Sequence, residues 1–201
     1  MNQAERLSAL LNGEDDPFAT LANAAAFLYQ ELDDLNWCGF YLFRAEKDAL
    51  VVGPFQGKPA CTRIAVGRGV CGTAFARNES VRVGNVHEFA GHIACDGASN
   101  SELVVPLRDV NGAPFAVLDL DSPTLNRFSA EDQRRVEELA AIIEKKSAQD
   151  AIIKIDGWAQ EIKRSSNVFS DVFQGMTMTA KSIGEATIRR QIGRASCRER
   201  V

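Results

Sequence analysis

A polar loop near the middle of the chain contains a cysteine whose neighbours suit a reactive thiol. Cys95 is followed at once by Asp96 and then by Ser99 and Asn100, and Glu102 begins the next apolar stretch. A structural cysteine lies among apolar residues, whereas a reactive one lies in a polar, partly exposed setting where its thiolate is stabilised. The segment therefore indicates thiol chemistry.

Two further cysteines, Cys61 and Cys71, flank a glycine-rich turn upstream of this loop. Zinc binding by the three cysteines and His92 is one interpretation. Structural zinc sites, however, usually contain closely spaced ligand pairs, and nine residues separate Cys61 from Cys71. Redox chemistry fits better, since a thiolate oxidised to a sulfenic acid is trapped by a second thiol as a disulfide. Cys71 lies near the start of a predicted helix whose dipole would lower its pKa, but this does not assign the roles.

Carboxylates form a second group of candidate residues. Asp119 and Asp121 alternate along a predicted strand and so point to one face, and Glu102 begins the preceding strand. Carboxylates among apolar residues are costly to bury alone, which predicts a cationic ligand or hydrogen-bond donors nearby. The alternative is that the two aspartates serve the following turn. Trp37 and Tyr41 share a strand face, where they either wall a small pocket or belong to the core.

The elements that must position these residues are short strands joined by hairpins, with helices at both ends. Helices are predicted from Pro17 to about Leu35, from Gly67 to about Arg77 and from Ser129 onward, and strands over Trp37–Phe43, Ala49–Phe55, Val81–Val83, Leu103–Arg108 and Pro114–Asp121. This order indicates an α+β domain with an antiparallel sheet. Helices would cover one face of the sheet and long loops the other.

Composition excludes several classes of function. With 201 residues, 45% of them hydrophobic, the chain can bury one core with an appendage. A net charge of −4 and a pI near 5.3 lack the basic footprint of a nucleic-acid-binding protein. No apolar run has the length of a membrane span and no signal peptide is recognisable, so we expect a cytoplasmic protein that binds neither membrane nor nucleic acid. In that reducing compartment, cysteines are more often catalytic or metal-binding than permanently paired.

The character of the sequence changes after residues 1–147, which we assign to the main domain. Over 148–191, apolar residues keep a helical period, and we interpret this stretch as a helical extension. Its apolar face would pack on the domain or on a second copy, which leaves a homodimer open. Residues 192–201 back-translate, codon by codon, into a common sequencing adapter. We treat them as an artefact and leave them, with Cys197, out of the fold.

Together these stretches resemble the free methionine-(R)-sulfoxide reductases, a family of single GAF-domain enzymes. The resemblance spans roughly residues 5–146, and the matching segments are Asn36–Leu42, Gly53–Cys61, Val66–Ala74, Gly91–Asp96, Ser99–Glu102 and Val117–Ser122. Two departures are Ala116, where the family commonly has Gly, and the extension after residue 146, which the typical short member lacks.

The resemblance implies a six-stranded antiparallel GAF sheet around a small enclosed pocket, without metal or cofactor. It implies that Cys95 is the nucleophile, Cys61 the resolving cysteine and Cys71 an auxiliary thiol, and that thioredoxin reduces the resulting disulfide. Among the remaining candidates, Glu102, Asp119 and Asp121 would hold the substrate ammonium and help protonate the sulfoxide oxygen, and Trp37 and Tyr41 would pack against the methyl-sulfur end.

Two other functions stay open at this point. A non-catalytic GAF sensor would bind a small ligand and pass strain into the C-terminal helix, although it would not need three matched cysteines. A redox switch would use the disulfide itself as the signal and would respond to peroxide rather than to methionine sulfoxide.

Overall fold

The computed structural model describes residues 1–14, 16–93, 95–147, 151–153, 162–164, 168–173 and 176–179. The chain divides into two units, Met1–Gln149 and Asp150–Val201. In the described part of the first unit, helices α1 to α4 span Gln3–Leu10, Pro17–Glu31, Gly69–Arg77 and Ala130–Ser147. Strands β1 to β6 span Trp37–Arg44, Ala49–Gly57, Arg63–Ala65, Val81–Val83, Ser101–Arg108 and Pro114–Ser122.

These six strands form one antiparallel sheet in the order β3-β2-β1-β6-β5-β4. The β1–β2 and β5–β6 hairpins lie side by side because β1 also pairs with β6. The predicted six-stranded antiparallel sheet is confirmed. Its interior strands β1, β6 and β5 carry most of the candidate site residues.

Side-chain alternation along β1 sends its residues into two separate cores. Cys38 and Phe40 pack with residues of α1, α2 and α4 on one face, whereas Trp37 and Tyr41 pack with residues of α3 on the other. All four side chains are buried. The predicted division of the two faces is confirmed, with the addition that the short helix α3 shares the loop-covered face.

Side-chain caps fix the beginnings of two helices where the sequence predicts them. The Asp16 carboxylate accepts hydrogen bonds of 2.7 and 3.0 Å from two backbone N–H groups in the first turn of α2. Ser129 Oγ accepts from the Asp132 backbone N–H, and the Ser129 N–H donates to the Asp132 carboxylate. Such caps contribute about 1 kcal/mol each to helix stability. No helix in the described part of the chain is long and apolar enough to cross a membrane.

Helix α1 and strand β3 are present in addition to the predicted elements. Reciprocal hydrogen bonds between Asn2 and Glu5, each from a backbone N–H to the other side chain, cap the start of α1. Strand β3 has only three residues, too few to show an alternating pattern in the sequence. The β5–β6 turn runs from Asp109 to Ala113, and Asp109 Oδ1 accepts hydrogen bonds of 2.8 and 2.9 Å from two backbone N–H groups within it. Gly112, with φ +81°, supplies the left-handed conformation that this turn needs.

The helical extension predicted over 148–191 is wrong in the segments that the structure describes. These are strands β7 to β10, at Ala151–Ile153, Ile162–Arg164, Val168–Phe173 and Met176–Thr179. Strand β7 pairs with β8 and β9 with β10, both antiparallel. β-Branched and aromatic residues favour extended backbone, and glycines between the segments disfavour a helix. The tail at 192–201, including Cys197, lies outside the described residues.

Candidate active site

A small cavity on the loop-covered face of the sheet gathers most of the candidate residues. Its volume is about 30 Å³, enough for about two water molecules. Seven of the eight candidates line it: Trp37, Tyr41, Cys71, Cys95, Glu102, Asp119 and Asp121. The eighth, Cys61, is joined to Cys95 by a disulfide bond. The structure therefore brings the whole predicted set together.

Strand register explains why the three carboxylates meet. Glu102 on β5 lies opposite Asp121 on β6, which in turn lies opposite Trp37 on β1. Asp119 precedes Asp121 by two residues and so points to the same face, where it lies opposite Gly39. A Cβ atom at Gly39 would lie 2.7 Å from Cη2 of Trp37. The glycine thus leaves room for the indole beside the acidic groups.

The disulfide joins two loops that are far apart in the sequence. Cys61 lies between β2 and β3, and Cys95 lies in the long segment before β5, 34 positions away. Their Cα atoms are 5.4 Å apart, within the usual range for a disulfide. Of the cysteines in the described residues, Cys38 and Cys71 are free and buried. In this state it is Cys61, rather than Cys71, that is paired with Cys95.

Cys71 is held as a protonated thiol. Its Sγ lies 3.8 Å from Glu102 Oε1 in a buried position. Burial raises the pKa of the Cys71 thiol well above its usual value, and the carboxylates of Asp119 and Glu102 raise it further. The expectation that the dipole of α3 lowers this pKa is wrong, because desolvation and the negative neighbours outweigh the helix terminus.

The three acidic side chains occupy a site that is unfavourable for negative charge. Burial raises the pKa of Asp119 to about 7. The pKa of Glu102 and that of Asp121 are also raised, first by burial and then by the charge of Asp119. Among the described residues, their one basic contact is His92 Nε2, 3.8 Å from Glu102 Oε2. Because burial lowers the pKa of His92, the imidazole is neutral at pH 7, and the acidic cluster keeps protons unless a cation enters.

We expect the free energy of unfolding of the ligand-free protein to fall as pH rises from about 4 to about 7, and Asp119→Asn to remove part of this decrease. The pKa of Asp119 is about 7 in the folded protein against an ordinary value of 3.8. Between these values the folded state binds more protons than the unfolded state, so stability decreases with pH. Denaturant unfolding at several pH values measures the effect.

Above about pH 7 the Asp119→Asn protein should be more stable than the parent, because an amide has no charge to desolvate. Asp48→Asn, in an exposed turn, is the matched control. An Asp119→Asn protein whose stability relative to the parent is the same at pH 5 and pH 8 would contradict this account of the buried carboxyl.

Trp37 and Tyr41 anchor a loop as well as lining the cavity. The Trp37 ring stacks on Tyr41 at 5.7 Å and on Phe55 at 5.3 Å between ring centroids. Trp37 Nε1 donates to the Lys58 carbonyl and the Tyr41 hydroxyl donates to the Cys61 carbonyl, both at 3.1 Å. The two aromatic residues therefore hold the Cys61 loop against the sheet. The sequence does not indicate this role, because the acceptors are backbone atoms.

A hydrogen-bond network holds the Cys95 loop near the same strand. Asn36 Nδ2 donates to Asp96 Oδ2 at 3.2 Å and to Ser99 Oγ at 2.9 Å. Lys58 Nζ lies 3.4 Å from Asp96 Oδ2. Since Asp96 directly follows Cys95, the network ties the two disulfide loops to each other and to the start of β1. Neither Asn36 nor Lys58 is among the site residues predicted from the sequence. For Asn36 the available signal was a polar residue placed directly before an apolar strand.

We expect Asn36→Ala to weaken the Cys61–Cys95 disulfide, relative to the dithiol, by about tenfold, because it removes two partly buried hydrogen bonds that hold the Cys95 loop in place. The thiol–disulfide equilibrium against dithiothreitol measures this without turnover. Lys58→Gln is the control: this side chain is 69% exposed, and exposed ion pairs contribute little. Equal effects of the two substitutions would contradict the specific role of the two Asn36 hydrogen bonds.

The chain matches a known domain family and is similar in sequence to two named enzymes. Residues 16–145 match the family model of the GAF domain. Free methionine-R-sulfoxide reductase of Escherichia coli (strain K12) is 56% identical over 138 residues, 69% of this chain and 82% of that protein. The enzyme of the same name from Saccharomyces cerevisiae is 40% identical over 157 residues, 72% of this chain and 87% of that protein.

A solved structure agrees with these relatives. The X-ray structure of free methionine-R-sulfoxide reductase from Neisseria meningitidis in complex with its substrate is 44% identical, with a TM-score of 0.69 over 72% of this chain and 85% of that chain. The GAF match contains every residue that lines the cavity and both cysteines of the disulfide. By domain, by sequence and by fold, the chain belongs to the free methionine-(R)-sulfoxide reductase family of GAF-domain proteins.

Proposed function

We propose that this protein reduces free methionine-(R)-sulfoxide to methionine, with Cys95 as the nucleophile and Cys61 as the resolving thiol. The observation that carries the proposal is the Cys61–Cys95 disulfide beside a cavity lined by three acidic side chains. The names of the relatives from Escherichia coli and Saccharomyces cerevisiae support the choice of substrate.

The reaction transfers the sulfoxide oxygen to Cys95 in a first step and releases it as water in a second. The Cys95 thiolate attacks the sulfoxide sulfur, a proton is delivered to the oxygen, and methionine leaves while Cys95 becomes a sulfenic acid. The Cys61 thiol then attacks the Cys95 sulfur, and water is released as the disulfide forms. The two thiols lose two electrons in total, and the sulfoxide gains them.

The acidic cluster suits both the proton and the substrate charge. A carboxyl group with a raised pKa, such as that of Asp119, is partly protonated near neutral pH and can donate to the sulfoxide oxygen. The other carboxylates, Glu102 and Asp121, pair with the α-ammonium of the amino acid, which supplies the positive charge that the cluster lacks. Trp37 and Tyr41 then pack against the methyl-sulfur end of the substrate.

Selectivity for the free amino acid follows from the same charges. A peptide-bound methionine sulfoxide has no α-ammonium, so it would leave the buried carboxylates unpaired. Unpaired buried charge is a strong means of rejection. The cavity of the disulfide form, with a volume of about 30 Å³, cannot hold methionine sulfoxide. The substrate therefore enters after the disulfide is reduced.

An external dithiol must complete the cycle. Thioredoxin in a reducing cytoplasm provides the required chemistry, because a disulfide is reopened by thiolate attack through a mixed disulfide. Cys71 is the auxiliary thiol. Burial keeps it protonated in the closed form, so it takes part in thiol–disulfide exchange when the cavity opens. A homodimer remains part of the proposal for the full chain.

The test is a steady-state assay with a thioredoxin recycling system and three substrates. We expect turnover of free methionine-(R)-sulfoxide, none of the free (S) epimer, and little of N-acetyl-methionine-(R)-sulfoxide, which lacks the ammonium. Comparable rates with the N-acetyl compound would overturn the role of the acidic cluster. Disulfide formation with peroxide but no turnover of any sulfoxide would instead favour the redox switch.

A further inference from the structure

A compact group of potential metal ligands lies inside the cavity. One ligand atom each from Cys71, Glu102 and Asp119 can be chosen so that all three lie within 4.8 Å of one another, and all three residues are buried. His92 Nε2 lies 3.8 Å from Glu102 Oε2 and also lines the cavity. The group therefore offers one thiol, two carboxylates and one imidazole, drawn from α3, β5, β6 and the Cys95 loop.

An orphaned polar atom points to a missing partner in this group. Asp119 Oδ1 is buried and has no hydrogen-bond partner among the residues that the structure describes, and the residue as a whole is 5% exposed. In the described residues, no lysine or arginine forms a salt bridge with Asp119 or Glu102. A buried carboxylate oxygen without a donor or cation is costly, so the position is suited to a positively charged ligand.

The size and the donor set of the cavity distinguish an ion from an organic cation. A volume of about 30 Å³ admits a metal ion with at most a water molecule, but not an amino acid. A thiolate together with imidazole and carboxylate oxygens suits Zn²⁺, whereas Mg²⁺ and Ca²⁺ prefer oxygen ligands alone and more of them. Tetrahedral Zn²⁺ brings its ligand atoms to about 3.5 Å from one another, so side-chain shifts of about 1 Å would close the site.

We propose that the disulfide form of this protein binds one Zn²⁺ ion through Cys71, Glu102 and Asp119, with His92 as the fourth ligand. The site differs from the zinc site considered from the sequence, because Cys61 and Cys95 are bonded to each other and cannot be ligands. Binding itself does not depend on the proposed function. Its consequence rests on that function: an ion that stays on Glu102 and Asp119 when the disulfide is reduced excludes the substrate ammonium, so Zn²⁺ inhibits the enzyme.

The test measures binding on the full-chain protein in its disulfide form, without turnover. All proteins carry Cys197→Ser, so that Cys38 and Cys71 are the only free thiols. Competition with a chromophoric zinc chelator should give one ion per chain. Cys71→Ser should weaken binding by more than about tenfold, whereas Cys38→Ala, which removes the buried thiol on the opposite face of the sheet, should leave it unchanged.

Cobalt(II) supplies a second, spectroscopic readout of the same site. We expect a thiolate-to-cobalt charge-transfer band that is lost in Cys71→Ser and retained in Cys38→Ala. No stoichiometric zinc binding by the folded disulfide form, or equal affinity in Cys71→Ser, would overturn the site. An inactive protein that still binds one Zn²⁺ ion through Cys71 would refute the proposed reductase activity and leave the site standing. The two failures are therefore distinguishable.

Discussion

Cys95→Ser should lower the turnover of free methionine-(R)-sulfoxide to background, a loss of more than about 10³-fold in kcat. A serine hydroxyl is a far weaker nucleophile than a thiolate and cannot form the disulfide that completes the cycle. The side chain lies in a polar loop at the cavity, so the replacement changes the chemistry with little effect on the core. Steady-state reductant consumption, with thermal unfolding as the check on folding, measures the result.

Cys61→Ser is the informative companion to this variant. It should still produce one methionine per chain, because oxygen transfer needs Cys95 alone, and it should then stop with a Cys95 sulfenic acid that dimedone traps. Cys38→Ala, on the helix-covered face, should keep its activity. Substantial turnover by Cys95→Ser, or no first turnover by a folded Cys61→Ser protein, would reverse the assignment of the two cysteines.

Glu102→Gln should lower kcat/KM for the free substrate by about 10²- to 10³-fold. A neutral amide cannot pair with the ammonium, and breaking a buried ion pair costs about 3–5 kcal/mol. The loss should be specific to charged substrate, so that the weak reaction of the N-acetyl sulfoxide changes much less. The ratio of kcat/KM for the two substrates is the measurement, because it cancels any general damage to the site.

Glu79→Gln is the matched control for this substitution, since Glu79 is an exposed residue just beyond α3. It should change neither substrate's kcat/KM. If Glu102→Gln lowered the rates of the free and N-acetyl substrates by the same factor, the carboxylate would not be the group that recognises the ammonium.

Local rules were sufficient for much of the fold. Alternation along β1 predicted that Trp37 and Tyr41 share one face of the sheet, and the predicted helix starts at Pro17 and Ser129 agree with the beginnings of α2 and α4. The same alternation placed Asp119 and Asp121 on one face. Alternation within a strand cannot predict that Glu102 lies opposite Asp121, because that pairing depends on the register between β5 and β6.

The remaining features depend on long-range contacts or on competing local forces. Spacing alone cannot pair Cys61 with Cys95 across 34 positions, and here the family resemblance supplied what the residues did not. The pKa of Cys71 was predicted in the wrong direction because burial and carboxylates are tertiary properties. The apolar period after residue 147 predicts a helix, whereas the described segments form strands, because short apolar runs fit either structure.

A single-turnover experiment observes oxygen transfer and disulfide formation without the recycling reaction. Fully reduced protein is mixed with excess free methionine-(R)-sulfoxide in the absence of any reductant, and methionine and the disulfide-linked peptides are quantified by mass spectrometry. The proposed reaction predicts one methionine per chain and a Cys61–Cys95 link in the same proportion. Intact thiols with no methionine, or methionine formed while Cys95 stays unmodified, would contradict it.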